Sequence, residues 1–360
     1  MKNNQKATVS EMMERIQAGA VLLAPLRVSQ VVREPSVDGV LIEVKWGGRS
    51  FRFSCGCKSR STPQAIHLAR ADAQRGAAKG VHPLVYVPYL SPERLSEFES
   101  AGESAIDLCG NGVIQVPEKL CVIRAGNVNR FRDSRPLNDP FSGRSSLVGR
   151  AFAVRGAFPS LSGLADTIRA LGGQISLPQV SKAVSALVEE LLVEKGKEGL
   201  KGVDTVGLLR RLASGWVGGT RRRVRITVGS GLEWQSVLGA LKGLRWAVSG
   251  MFSLRRYAPF AIAGVRAVMV SNLDASIKAL RGKVVPSGEE ADLELIEATD
   301  EECFFDTRLD EENVHWAGPV QTWMELQGGQ GRYLVAAEKV LQFILDGQAR
   351  RRDIVRLGSD

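Results

Sequence analysis

The chain is poor in the residues that build metal centres and covalent catalysts. It has five cysteines and three histidines in 360 residues. Cys55, Cys57, Cys109, Cys121 and Cys303 are odd in number and scattered, with no Cys-x-x-Cys pair and no histidine at ligand spacing, so no metal site is expected. A reducing cytoplasm fits this usage. His67, His82 and His315 have no serine, cysteine or aspartate partner at an informative spacing, so each is expected to be structural or exposed. No apolar run approaches the roughly 18–20 residues of a membrane span, so no membrane partner is expected. Glu11, Glu14 and Arg15 precede only a short apolar stretch at 18–26, which is not a secretory signal. Despite 38 glycines, neither a Walker A loop nor a dinucleotide fingerprint occurs, and no cofactor is expected.

What the chain does have is positive charge, concentrated in one place. Residues 141–225 carry 14 Lys/Arg against 6 Asp/Glu. The segments 1–140 and 226–360 carry 19 against 14 and 15 against 19, within a total of +9. An excess of this sign favours a polyanionic partner.

Composition divides the chain. The stretch 130–146 (RFRDSRPLNDPFSGRSS) opposes regular structure, and GWVGGT at 215–220 marks a second break. The expected blocks are 1–130, a linker at 131–144, 145–216, 217–348, and a basic tail at 349–360 containing Arg350, Arg351 and Arg352. In the first block, Val40, Ile42, Val44 and Trp46 alternate on one strand face and Gly47-Gly48 turns the hairpin. Phe51, Phe53, Cys55 and Cys57 alternate on the returning strand. A helix is expected over 63–78, a buried strand at 84–87, a helix capped by Ser91 with Pro92 at its first position, and a last hairpin after the turn at 110–112. This is an α/β sandwich on a mixed sheet.

The middle block predicts two short helices, a turn and a hairpin. Ser162 is the expected cap of the first helix, which buries Leu164, Ile168 and Leu171 and ends at Gly172-Gly173. Ser176 and Gln179 form a capping box for the second, with Leu177, Val180, Val184, Leu187, Val188 and Leu191 as its buried stripe. The opposite face offers Gln179, Lys182, Ser185 and Ala186, with Ser181 at its flank. Short and hydrogen-bonding groups let a helix approach the major groove of double-stranded DNA. The segment LVEKGKEGLKG at 192–202 reads as a wing whose Lys195, Lys197 and Lys201 meet phosphates. Arg221, Arg222 and Arg223 extend that track or begin a solvated strand. A last helix from Asp204 packs Leu208, Leu209, Leu212 and Trp216.

Three stretches carry a family resemblance. PLVYVPYLSPERL at 83–95 followed by IDLCGNG at 106–112, with CKSRSTP at 57–63 before them, resembles regulators related to the AbiEi antitoxins. PVQTWMEL at 319–326, then Gly331-Arg332 and AAEKVL at 336–341, is similar to the end of the AbiEi C-terminal domain, and WAVSG at 246–250 to an earlier strand and turn of it. The resemblance implies a type IV antitoxin-like regulator that binds operator repeats, as a homodimer, and has a cognate nucleotidyltransferase toxin. This chain departs from AbiEi, whose winged helix is N-terminal; here it is central, behind an added α/β domain.

That first domain resembles the restriction-endonuclease fold. Such sites use an Asp, then an acidic residue two before a Lys, to hold a divalent metal and activate water. The matching positions are Asp38, Gly56 and Lys58, and Gly56 carries no carboxylate. Glu43-Val44-Lys45 spells the motif one strand earlier, on what reads as a solvated face. Asp107 and Asn111 flank a turn and are expected to hydrogen-bond its backbone. The expected architecture is therefore α/β and α+β multidomain: a degenerate endonuclease-like domain, a central winged helix-turn-helix and an AbiEi-like C-terminal domain. The leading expectation is a nucleoid-associated, non-enzymatic DNA-binding regulator. The alternatives are a metal-dependent nuclease using Asp38 and Lys58, and a toxin-binding antitoxin.

Overall fold

The computed structural model describes residues 8–17, 21–33, 40–131, 139–216, 221–228, 234–260, 265–280, 284–286 and 291–357. Over these residues the protein is a mixed α/β fold of twelve α-helices and three sheets. It forms two compact units, Met1–Leu137 and Asn138–Asp360. Their boundary falls inside the Pro- and Ser-containing stretch 131–144.

In the first unit, helix α1 (Val9–Gln17) precedes an eight-stranded sheet whose strands lie side by side in chain order. They are β1 (Val21–Leu23), β2 (Leu26–Arg33), β3 (Val40–Trp46), β4 (Arg49–Cys57), β5 (Val81–Val87), β6 (Ser104–Asp107), β7 (Gly112–Val116) and β8 (Leu120–Arg124). β4, β5 and β6 run parallel, linked by helices α2 (Pro63–Arg75) and α3 (Pro92–Ser100). The other neighbours are antiparallel. Thr62 and Ser91 cap the two helices by accepting from Ala65 N and Arg94 N, each followed by proline, which gives up no helical bond there. α2 stops at Arg75 rather than 78, because Ala78 already bridges to Val81.

Successive side chains of the central strands diverge into two cores. Leu84, Tyr86, Ile106 and Ile114 join Met12 and Ile16 of α1 on one face. Val85, Val87, Ala105 and Val113 join Ile66 and Ala69 of α2 and Leu95 and Phe98 of α3 on the other. A strand covered on both faces needs this unbroken apolar run. Trp46, expected beside Val40, Ile42 and Val44, is 42% exposed. It ends its strand at the hairpin turn, past the covered part of the sheet.

The second unit begins with α4 (Ser146–Arg155), β9 (Ala157–Phe158), α5 (Leu161–Ala170), α6 (Leu177–Glu189), β10 (Val193–Gly196), β11 (Gly199–Gly202) and α7 (Thr205–Ser214). β10 and β11 form a hairpin, and β9 pairs with β11 to complete a three-stranded sheet. A seven-stranded sheet follows, built from β12 (Arg223–Val228), β13 (Trp246–Ser249), β14 (Arg266–Val270), β15 (Val284–Pro286), β16 (Leu293–Glu297), β17 (Arg308–Leu309) and β18 (His315–Trp316). Its order is β15-β12-β16-β14-β13-β18-β17. The short helices α8 (Trp234–Ala240), α9 (Gly250–Ser253) and α10 (Leu273–Ala279) interrupt it, and α11 (Pro319–Gln327) and α12 (Arg332–Leu357) close the chain.

Residues 145–216 and 217–348, two blocks in the sequence, share one core. Leu147, Ala151, Phe152, Leu164, Val184 and Leu209 pack with Trp323 and Met324 of α11 and Ala337, Val340 and Ile344 of α12. The reason lies in α4, where every residue from Ser146 to Val154 is buried. A helix covered on all sides needs neighbours on all sides. Polar groups stitch the same contact: Arg150 Nη1 donates to Gln321 Oε1 at 3.0 Å, and Gln348 Nε2 donates to the carbonyls of Phe152 (2.9 Å) and Ala153 (2.7 Å). The arginines at 350–352 are not a separate tail. α12 carries through them, and Arg351 donates to the Val154 carbonyl. Among the described residues no helix is long and apolar enough to cross a membrane.

Candidate nucleic-acid interface

α5 and α6 are set by their ends. Ser160, not Ser162, caps α5: its backbone is extended and its Oγ accepts from Gly163 N at 3.1 Å, whereas Ser162 is already helical. At the other end Gly172 has φ +81°, and Gly173 N returns to Ile168 O at 2.9 Å. A side chain at 172 would strain that left-handed turn. Ser176 then starts α6, and both its N–H (3.0 Å) and its hydroxyl (2.9 Å) donate to Gln179 Oε1. Gln179 is thus oriented by the cap, leaving its Nε2 donors to solvent.

The buried stripe of α6 is Val180, Ala183, Val184, Ala186 and Leu187. Two residues expected in it are exposed: Leu177, 46%, on the first turn, and Leu191, 41%, beyond the last. Ala186, expected outside, is buried because it continues the step from Ala183 by three. Ser176, Gln179, Lys182 and Ser185 are exposed, and Ser181 is half-buried. Ser185 Oγ donates to Ser181 O at 3.0 Å, which holds that hydroxyl close to the helix. Lys182 has no ion pair among the described residues. The carboxylate of Glu190, just past the helix, is held by Arg211 at 3.2 Å.

Lys195, Lys197 and Lys201 are all exposed on the hairpin. Its register pairs Glu194 with Lys201 and Lys195 with Leu200. Lys195 and Lys201 therefore point to opposite faces, and Glu194 stands directly across from Lys201. Asp204 caps α7 by accepting from Gly207 N at 2.8 Å, and Leu208, Leu209 and Leu212 are buried as expected.

The arginine run is spent elsewhere. Arg221, whose side chain is 9% exposed, bonds Asp300 at 2.9 Å and lies over the Trp216 ring. Arg222 pairs with Asp274 (3.0 Å) and Glu297 (3.5 Å); Asp274 raises the guanidinium's proton affinity further. Arg223 and Arg225 both reach Glu294, at 3.6 and 3.3 Å. These contacts tie β12 and the two residues before it to Asp300, Asp274, Glu297 and Glu294.

In the first unit, Asp38 lies outside the described residues. Lys58 Nζ is 2.5 Å from Asp72 Oδ2 on α2, and Arg75 bonds the other oxygen. Burial opposes ionisation of Asp72, but the bonds from Lys58 and Arg75 outweigh it and hold the carboxyl below its usual range. A Cβ at Gly56 would stand 1.9 Å from the Ala69 carbonyl oxygen, so the helix backbone occupies the place of an acidic side chain. Asp72 was not foreseen from the sequence, where only its i,i+3 spacing to Arg75 hints at pairing. Glu43 accepts from the hydroxyls of Ser29 (3.3 Å) and Ser50 (3.1 Å), and Lys45 is exposed. Among the described residues no group of three or more His, Cys, Asp or Glu side chains is arranged to hold a metal ion.

Asp107 is buried and accepts from the backbone N–H groups of Leu90, Cys109 and Asn111 and from Asn111 Nδ2, at 2.8–2.9 Å. Burial nevertheless pushes its carboxyl above the usual range. Asn111 passes the network on, accepting from Asn127 N at 2.8 Å. The bonds to Cys109 and Asn111 hold the turn, and those to Leu90 and Asn127 tie it to the loop after β5 and the segment after β8. Comparison with models of known protein families, with curated proteins and with solved structures returned no match.

Proposed function

We propose that the chain is a sequence-specific regulator that binds double-stranded DNA through residues 146–202. One observation carries this: the order α4, β9, α5, α6, β10, β11, with β9 paired to the hairpin's second strand, is that of a winged helix-turn-helix. α6 is the second helix of the α5–α6 pair, the one that enters the major groove in such modules. Gln179 and Lys182 read base edges, Ser176, Ser181 and Ser185 contact bases or backbone at close range, and Lys195, Lys197 and Lys201 hold phosphates. Arg221, Arg222 and Arg223 have no part in it, because carboxylates already hold them.

The regulator is of the antitoxin type, binding operator repeats as a homodimer on a bacterial-type nucleoid, with a nucleotidyltransferase toxin as its cognate. The AbiEi-like motifs in the seven-stranded sheet and in α11 and α12 support this. The first unit is an endonuclease-like fold without catalysis, supported by the helix backbone standing where Gly56 would need a carboxylate.

Sequencing of genomic DNA recovered with the protein identifies the operator. On that operator, Gln179→Ala with Lys182→Ala lowers the target-to-random affinity ratio by about 30-fold or more, at 1–3 kcal/mol per lost contact. An unchanged ratio in a gel-shift assay excludes α6 as the reader.

A further inference from the structure

The first unit has a concave surface at the end of its sheet remote from Lys58. Lys58 follows the C-terminal end of β4, whereas this cavity opens where β4 and β5 begin and where the β7–β8 turn returns. Its volume is about 500 Å³, within the range of small-molecule sites. Arg49, His82 and Lys119 line it, and no carboxylate does. Arg49 and Lys119 are exposed and have no ion pair among the described residues. His82 is half-buried, its ring set against Phe53 at 5.9 Å between centroids. Ser50 also lines the cavity, but its hydroxyl proton is given to Glu43. The donors left to an occupant are the three nitrogen-bearing side chains. Phe51 and Val116, both buried, supply an apolar floor.

Cations gathered around a concavity repel one another unless an anion joins them. A guanidinium fork, an ammonium and an imidazole that keeps an N–H donor in either protonation state match the three oxygens of a terminal phosphate. We propose that this cavity binds a terminal phosphate group whose carrier rests a planar ring on Phe51 and Val116: a nucleotide, free or at the end of a strand. The site is independent of the duplex interface in the second unit.

Calorimetric titration of the full chain tests this with AMP, inorganic phosphate, adenosine, and one dinucleotide in 5′-phosphorylated and 5′-hydroxyl forms. AMP binds saturably and more tightly than phosphate, and adenosine does not bind. Arg49→Gln with Lys119→Gln weakens AMP binding by about tenfold or more, as the loss of two charge-assisted bonds implies. Both residues are exposed, so melting temperature and operator binding through α6 stay unchanged. Tighter binding of the phosphorylated dinucleotide than of AMP identifies a strand end as the ligand; the reverse identifies a free nucleotide. Adenosine binding as well as AMP, phosphate binding as tightly as AMP, no saturable heat from any phosphate ligand, or an undiminished double variant each overturns the proposal.

Discussion

Lys58 and Lys182 stand in similar sequence settings, each among short polar residues, and the two regions of the molecule treat them oppositely. α2 lies against β4 so closely that no Cβ fits at Gly56, and it presents Asp72 to Lys58. α6 turns its apolar stripe to the core and leaves Gln179, Lys182 and Ser185 outside. A lysine matched by a buried carboxylate is part of the fold. A lysine over small side chains, with no ion pair among the described residues, is available to a ligand. The same distinction divides the cations of the second unit, where the hairpin lysines are exposed and Arg222 and Arg225 are held by carboxylates.

The largest expected effect tests how firmly α2 closes the first region. Gly56→Asp puts Cβ 1.9 Å from Ala69 O and 2.9 Å from Ala73 N. α2 must lift away, exposing the apolar contacts of Ile66, Ala69 and Ala73, and the unit loses more than about 4 kcal/mol. Urea unfolding followed by circular dichroism reads this as the early loss of one transition. A cost under about 1 kcal/mol breaks the comparison, since α2 would then yield to a carboxylate beside Lys58.

A smaller effect sharpens the contrast among cations. Replacing Lys197 or Lys201 by alanine weakens binding to target and random DNA alike and lowers the slope of log affinity against log salt by about one per residue. Arg222→Ala leaves that slope unchanged, because Asp274 and Glu297 already hold its guanidinium. Equal slope changes for Arg222 and Lys197 would mean that Arg222 exchanges its carboxylates for phosphate.

Much of the fold was legible in the sequence because its signals are local. Thr62 and Ser91 before prolines, the Gly47-Gly48 hairpin, the double glycine after α5 and the glycines bracketing β10 and β11 each constrain a few residues around them. The misreadings were of two other kinds. Helix phase misleads at the ends of α6, where Leu177 and Leu191 fit the apolar stripe but lie beyond the reach of the core. Contacts distant in sequence were invisible: nothing near Phe152 announces Gln348, nothing in a run of arginines announces Asp274 and Glu294, and nothing at Lys58 announces Asp72. Gln179, Lys182, Ser185 and the hairpin lysines are exposed, as short polar groups and lone lysines on a helix face or a turn suggest, whereas a run of arginines shows its charge in the sequence and hides its partners.

The smallest expected effect lies in the pH dependence of the Lys58 pair. The folded pKa of Asp72 is below its ordinary value because Lys58 and Arg75 overcome the penalty of burial. A carboxyl shifted in this direction contributes its stability above the unfolded value of about 4, and loses it as pH falls through the folded value. Lys58→Met keeps most of the stem and removes the charge. The first unit of this variant is therefore less stable than the wild type by about 1 kcal/mol at neutral pH, as for a well-oriented pair near the surface. The gap narrows below about pH 4 as Asp72 takes up its proton in both proteins. A gap that persists unchanged to acid pH would assign the contribution of Lys58 to the packing of its stem rather than to its charge. No gap at neutral pH would mean that Asp72 does not hold Lys58, and would make the two lysines alike after all.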